Sequence, residues 1–166
     1  MAAMNLTACA LTPEAFAPFG RVLNLMAGGD DGLVRTDGPG WQDCYTKTPL
    51  IGTNGSLGLT RSGGTPFDLR QMERHTNTEE ALFCLDAPIV LAVAPAGDRQ
   101  QPESADVRAF IIPKGVAVVL DAGTWHDACR GLDRPVAYYW MATVGTGTEW
   151  RDVAGGPLTV ECGAQP

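Results

Sequence analysis

Glycine and proline cut this chain into pieces too short for long helices. The 20 Gly and 12 Pro of its 166 residues fall as punctuation between short apolar runs. An amphipathic helix needs about three turns to bury one face, whereas a strand needs only about five residues, so this spacing favours many strands joined by turns. Strand-length runs follow a first one at 22–26 and cover residues 56–60, 67–75, 81–85, 89–93, 108–112, 116–120, 125–129 and 136–141. Eight or nine short strands of this kind predict an all-β chain closed into a double-sheet barrel. One helical signal stands near the start. Thr12 suits the cap, Pro13 the first helical position, Glu14 the first turn and Gly20 the end, which predicts a short N-terminal helix packing Phe16 and Phe19 on a sheet. Residues 27–40, rich in Gly and Asp, read as a loop, and 95–104 as a polar excursion between strands. Gly28-Gly29 and Gly63-Gly64 read as turns, because no helix carrying a lysine follows a strand there.

The length suits a single domain over residues 1–166. A composition of 45% hydrophobic and 19% charged residues argues against disorder and against a coiled coil. No apolar run reaches the ~20 residues that cross a bilayer, and the start lacks a basic region followed by an apolar stretch. Neither a membrane nor a secretory role is expected, and the predicted location is cytoplasmic. The net charge is −7 with the basic residues scattered, which leaves no footprint for nucleic acid. Cys9, Cys44, Cys84, Cys129 and Cys162 are odd in number and never form a C-x-x-C pair, as expected of reduced thiols.

The chemistry centres on the two histidines, His75 and His126. Strand alternation over 67–75 puts Phe67, Leu69, Gln71, Glu73 and His75 on one face, and Asp68, Arg70, Met72 and Arg74 on the other. Inside a barrel this sends Phe67 and Leu69 to the packed end and aims Glu73 and His75 into the mouth. After the turn Thr76-Asn77-Thr78, Glu80 heads an apolar strand and returns a carboxylate to that mouth; a one-residue bulge there would present Glu79 instead. Trp125, beside His126, alternates to the outside. Arg74 faces away from the mouth, where it would steady a dimer or a neighbouring loop.

Two spacings resemble those of a known superfamily. Glu73-x-His75-x4-Glu80 is similar to the first motif of cupins, with Glu for the leading His. Gly115-x5-Asp121-x-Gly123-x2-His126 is similar to the second, with Asp where Pro is usual. The resemblance implies a cupin jelly-roll barrel with a metal held by Glu73, His75, Glu80 and His126. Two imidazoles and two carboxylates suit Mn, Fe, Ni or Zn.

Within cupins, the chain resembles the ureidoglycolate lyase family of allantoin catabolism and purine metabolism. Phe16-Ala17-Pro18-Phe19-Gly20-Arg21-Val22, Met72-Glu73-Arg74-His75, Gly115-Val116 and Gly123-Thr124-Trp125-His126 carry the likeness, in the family's order over nearly the whole chain. Arg21 stands where the family has Asp, and Glu80 where a Gln is common. The implied reaction splits (S)-ureidoglycolate, or a related 2-hydroxy acid, into glyoxylate and urea. In it the metal would hold the carboxylate and hydroxyl oxygens, and Glu73 or Glu80 would take the hydroxyl proton. Arg61, near an Arg that the family carries, is the candidate for binding the substrate carboxylate. Alternative readings are a cupin isomerase or lyase acting on a sugar acid or keto acid, and a non-catalytic cupin that binds a small acid. Tyr138-Tyr139-Trp140 is expected to be barrel core on one side and interface on the other, which together with the resemblance predicts a homodimer.

Overall fold

The computed structural model describes residues 4–27, 30–145 and 147–163; Met1 to Ala3 and the expected Gly28-Gly29 turn lie outside the described residues. The chain opens with β1 (Met4–Ala10), a single helical turn α1 (Pro13–Phe16) and β2 (Gly20–Asn24), and continues through β3 (Leu33–Gly38), β4 (Trp41–Thr46) and β5 (Ser56–Ser62). The middle holds β6 (Phe67–Leu69), β7 (Gln71–His75), β8 (Glu80–Cys84), β9 (Ile89–Ala94) and β10 (Arg108–Ile112). It closes with β11 (Val116–Leu120), β12 (Trp125–His126), β13 (Arg130–Gly131), β14 (Val136–Ala142), β15 (Thr148–Asp152) and β16 (Leu158–Cys162).

An antiparallel five-stranded sheet, in the order β2-β11-β8-β14-β5, packs on a curled nine-stranded sheet. The larger sheet runs β15-β7-β12-β9-β10-β1-β16-β6, with β13 attached to β9. This is the expected all-β jelly roll of the cupin kind with one short helix.

Its inner core joins both sheets through Leu82, Leu91, Phe110, Val118, Leu120 and Tyr138. Phe16 and Phe19, brought in by α1 and the turn after it, close on Phe110 with ring centroids 5.3 and 5.8 Å away. A second core lies behind the larger sheet and contains Leu69, Met72, Trp125, Leu158 and Val160. β9 divides its side chains between the two cores, Leu91 and Val93 inward and Val90 and Ala92 outward, so all six of its residues are buried. That is why it reads as an unbroken apolar run.

Three expectations are corrected. Residues 27–40 are not all loop, because Leu33–Gly38 pairs antiparallel with Trp41–Thr46 in a separate hairpin. Its two-residue turn is Pro39-Gly40, with Gly40 at φ +80°, the pairing of residues a type II turn requires. The run 67–75 is two strands, since β6 pairs with β16 while β7 pairs with β12 and β15. The break at Arg70 shifts the alternation by one, so Leu69 and Met72, three residues apart, share the outer core, and Phe67 packs against it too. Those apolar residues therefore do not fill the barrel end below Glu73 and His75. The run 125–129 is likewise interrupted after His126, and pairing resumes only at Arg130.

Candidate metal centre

Four strand positions bring the ionisable groups together. β7 carries Glu73 and His75 two residues apart on its inner face, β12 places His126 directly opposite Glu73, and β8 begins with Glu80 on the facing sheet. The turn before β12 is tied on both sides. Gly123, at φ +87°, donates its N–H to His75 O at 2.7 Å, and Thr124 Oγ1 donates to Phe19 O at 3.0 Å. Glycine is needed at 123 because this left-handed conformation strains any other residue. Asp121 donates its own N–H to Phe19 O at 3.0 Å, a bond that a proline there could not make.

Glu80 Oε2 lies 2.9 Å from the Nε2 atoms of both His75 and His126, and Glu73 Oε1 lies 3.8 Å from His126 Nε2. One donor atom from each of Glu73, His75 and His126 falls within 4.8 Å of the others. Although buried, Glu80 Oε2 and His126 Nε2 make no hydrogen bond: they are close without being aimed at each other. Buried polar atoms are nearly always paired, so this departure calls for a shared partner. Two ligand atoms about 2.1 Å from one cation and at right angles stand about 3.0 Å apart, which matches the contacts around Glu80.

The far ring nitrogens are also held. His126 Nδ1 is 3.1 Å from Thr124 O, and His75 Nδ1 is 3.0 Å from Thr148 Oγ1. A carbonyl only accepts, so His126 carries its proton on Nδ1 when neutral and turns the Nε2 lone pair to the centre. The donor set fits a divalent cation.

The two carboxylates sit in opposite electrostatic situations. Burial alone would raise the Glu80 carboxyl, but the adjoining His126 and His75 rings outweigh it and hold the group at about 2. Glu73 is raised above the ordinary value, because burial outweighs the pull of the same two imidazoles. Burial disfavours the charged form of His126, yet Glu80 and then Glu73 raise it above the usual histidine value.

Of the two adjacent glutamates, Glu80 faces the centre. Glu79 turns out, taking Arg21 Nη1 at 2.6 Å on one oxygen and Gly52 N–H at 2.7 Å on the other. The opposite charge at position 21 thus has its partner at 79, outside the cavity. Arg61 is not brought to the site. On β5, Thr60 points inward, so its neighbour Arg61 lies exposed on the other face and does not line the cavity.

Side chains that sequence reasoning did not assign to the site surround the ligands. Thr60, Tyr138, Trp140, Thr143 and Thr148 line a cavity of about 310 Å³ together with Glu73, His75 and Glu80. The only signal for two of them was alternation along β14, which turns Tyr138, Trp140 and Ala142 to one side. Behind the site, Trp125 is buried in the outer core and Arg74 lies over its ring, 4.4 Å from the centroid. Arg74 pairs with Glu149 at 2.8 Å and donates to the carbonyls of Gly97 and Arg99, so it steadies the loop over 95–104.

The sequence pattern of the family described as Ureidoglycolate lyase matches residues 44–160. A protein named ureidoglycolate lyase from Pseudomonas syringae pv. tomato is 29% identical over 149 residues, covering 86% of this chain and 85% of that one. Its namesake from P. syringae pv. syringae is 32% identical, covering 75% and 74%. Another of that name, from Mesorhizobium japonicum, is 28% identical over 150 residues, covering 87% and 89%. The matched stretch holds all four converging side chains, and on that ground the chain belongs to the ureidoglycolate lyase family.

Proposed function

We propose that the protein is a metal-dependent carbon–nitrogen lyase that converts (S)-ureidoglycolate, or a closely related 2-hydroxy acid, to glyoxylate and urea. The observation that carries this reading is the convergence of Glu73, His75, Glu80 and the buried His126, the first three of them lining one cavity, in a chain from this family. In the reaction the O–H and C–N bonds of the substrate break, a C=O bond forms, and the departing nitrogen gains a proton. A divalent ion on these four residues, of the Mn, Fe, Ni or Zn group, supplies the positive charge that acidifies the substrate hydroxyl. Glu80, packed between the two imidazoles, serves as a ligand. Glu73 is the more loosely held carboxylate and reaches the cavity from β7, which suits it to accept the hydroxyl proton. Tyr138 and Trp140 line the cavity and give the substrate an aromatic surface to pack on.

Assay of the metal-reconstituted protein for urea and glyoxylate tests this reading. Equimolar release of both is expected. An isomerase acting on sugar or keto acids gives an ultraviolet keto or enol signal without urea, and a binding-only cupin gives ligand-dependent stabilisation without product.

The remaining features proposed for the protein are a single domain over residues 1–166, a cytoplasmic location, no nucleic-acid partner and a homodimer. Support comes from the absence of disulfides among the described cysteines, the net charge of −7, and the outer face of the five-stranded sheet. On that face Leu57 and Leu59 are exposed, and Tyr139 stacks on Phe83 at 5.4 Å. Light scattering at micromolar concentration is expected to give twice the chain mass. Among the described residues, no helix is long and apolar enough to cross a membrane.

A further inference from the structure

Among the described residues that line the cavity there is no lysine or arginine, although the proposed substrate is an anion. A divalent ion and the carboxylates of Glu73 and Glu80 sum to zero charge, so apart from direct coordination to the ion the loaded centre adds little attraction for an anion. Some other group must therefore supply hydrogen-bond donors to the substrate's carboxylate.

The cavity presents three threonine hydroxyls. Thr143 Oγ1 already donates within the wall, at 2.8 Å from Thr53 Oγ1 and 2.6 Å from Asn54 O. Thr148 is placed differently. Its Oγ1 stands 3.0 Å from His75 Nδ1, and when His75 gives its Nε2 lone pair to a metal, Nδ1 carries the ring proton and donates it to Thr148. The threonine's own proton is then not spent on the histidine. Thr60 stands opposite Tyr138 across the β5–β14 pair, and both side chains line the cavity. The phenol oxygen accepts the Cys129 N–H at 3.2 Å, so its own O–H remains a donor, beside the Thr60 hydroxyl in the cavity wall. Burial pushes Tyr138 well above the ordinary phenol value, so it keeps that proton at neutral pH. Thr60 and Thr148 come from edge strands of the two different sheets, so one donor is supplied by each sheet.

We propose that the carboxylate of the small 2-hydroxy acid is received by the hydroxyls of Thr148, oriented by His75, and of Thr60, set beside Tyr138 in the cavity wall, with no cationic side chain taking part. This rests on the lyase reading above for the identity of the acid.

The test uses full-length protein carrying one equivalent of metal. Glyoxylate binding is measured by calorimetry, KM and kcat by urea release, and metal content by elemental analysis. Thr60→Val and Thr148→Val are each expected to weaken glyoxylate binding and raise KM about tenfold while kcat changes less, and Thr→Ser at either position restores most of the loss. Thr→Ala at the same positions repeats the test if valine disturbs the wall. Unchanged glyoxylate affinity in both valine variants overturns the proposal. Loss of metal from Thr148→Val with normal glyoxylate binding after reloading overturns it for Thr148, which then only positions His75. If the parent protein releases no urea but the valine variants still lose glyoxylate binding, the lyase reading fails and the donor pair stands.

Discussion

The cavity has two walls built on different principles. On the ligand wall, β7, β12 and β8 set Glu80 2.9 Å from His75 and His126 and Glu73 3.8 Å from His126, and both far imidazole nitrogens are held. β12 lies between two paired neighbours, and the turn that leads into it is bonded to both His75 and Phe19. The other wall is neutral and partly made of edges. β5 and β15 each end a sheet, and with β14 they present hydroxyls and aromatic rings. Rigid central strands hold the groups whose relative positions must not change, while the sheet edges meet a ligand that comes and goes. Substitutions on the ligand wall should therefore act through the metal, and those on the other wall through the substrate.

The largest effect is expected at His126. His126→Gln keeps the bulk of the side chain but takes away the Nε2 lone pair and leaves Glu80 with one imidazole. Metal affinity should fall by more than about 100-fold, beyond the loss usual for groups that only support a ligand. Elemental analysis after dialysis, with circular dichroism to confirm the fold, measures it. Because His126 is buried, some thermal stability should be lost as well; retention of one equivalent of metal would break the assignment of this wall.

A smaller and opposed pair of effects is expected for Glu80→Gln. An amide in place of the charge between the two imidazoles should weaken metal binding by about tenfold. At saturating metal the loaded centre then carries one extra positive charge, which favours an anionic substrate, so KM should fall and urea release should hold or rise. A rise in KM would show that the carboxylate of Glu80 has a part on the substrate side too.

The pH dependence follows from His126, whose folded-state value is raised above the ordinary 6.5. A raised value means the metal-free protein gains stability from protonated His126 fully below pH 6.5 and loses it as pH rises through the folded value. Metal binding has the opposite sign, since the neutral ring is the ligand and a proton must leave. Melting curves with chelator should shift down as pH rises above about 6.5, while the stabilisation added by metal should grow in the same direction. In Glu80→Gln both trends should flatten, because the group that raises His126 most is gone.

The ligand wall was also the legible one, for a physical reason. Two residues apart in a strand means one face, and Gly123 fixes a turn that only glycine enters easily, so Glu73, His75 and His126 leave a pattern in the chain. Which of Glu79 and Glu80 points inward was not legible, because it depends on Arg21 and Gly52 capturing the Glu79 carboxylate from elsewhere in the fold. Thr60 and Thr148 left no pattern, as a threonine in a strand is common on either face. The same limit hid β1 and β16. They pair in parallel across most of the chain length, and between them only Leu6, Ala8, Leu158, Val160 and Cys162 reach the outer core, too few on each strand to stand out as alternation. Alternation also misled where the chain bends, since the break at Arg70 reversed the faces of Phe67 and Leu69 relative to Glu73.

The smallest effect is expected at Arg61, and it sharpens the contrast between the walls. Arg61 lies one residue from Thr60, so pleating alone decides that the hydroxyl enters the cavity and the guanidinium faces outward. Arg61→Ala should leave KM for (S)-ureidoglycolate within about twofold, whereas Thr60→Val on the same strand should raise it about tenfold. A tenfold rise for Arg61→Ala would mean that the outer face of β5 in one copy completes the cavity of another, because the one-to-one register of β5 with β14 over 56–62 holds no bulge that would turn both neighbours inward. Repeating the measurement at enzyme concentrations where light scattering shows only single chains separates the two cases: a contribution across copies disappears on dilution, and a local one does not.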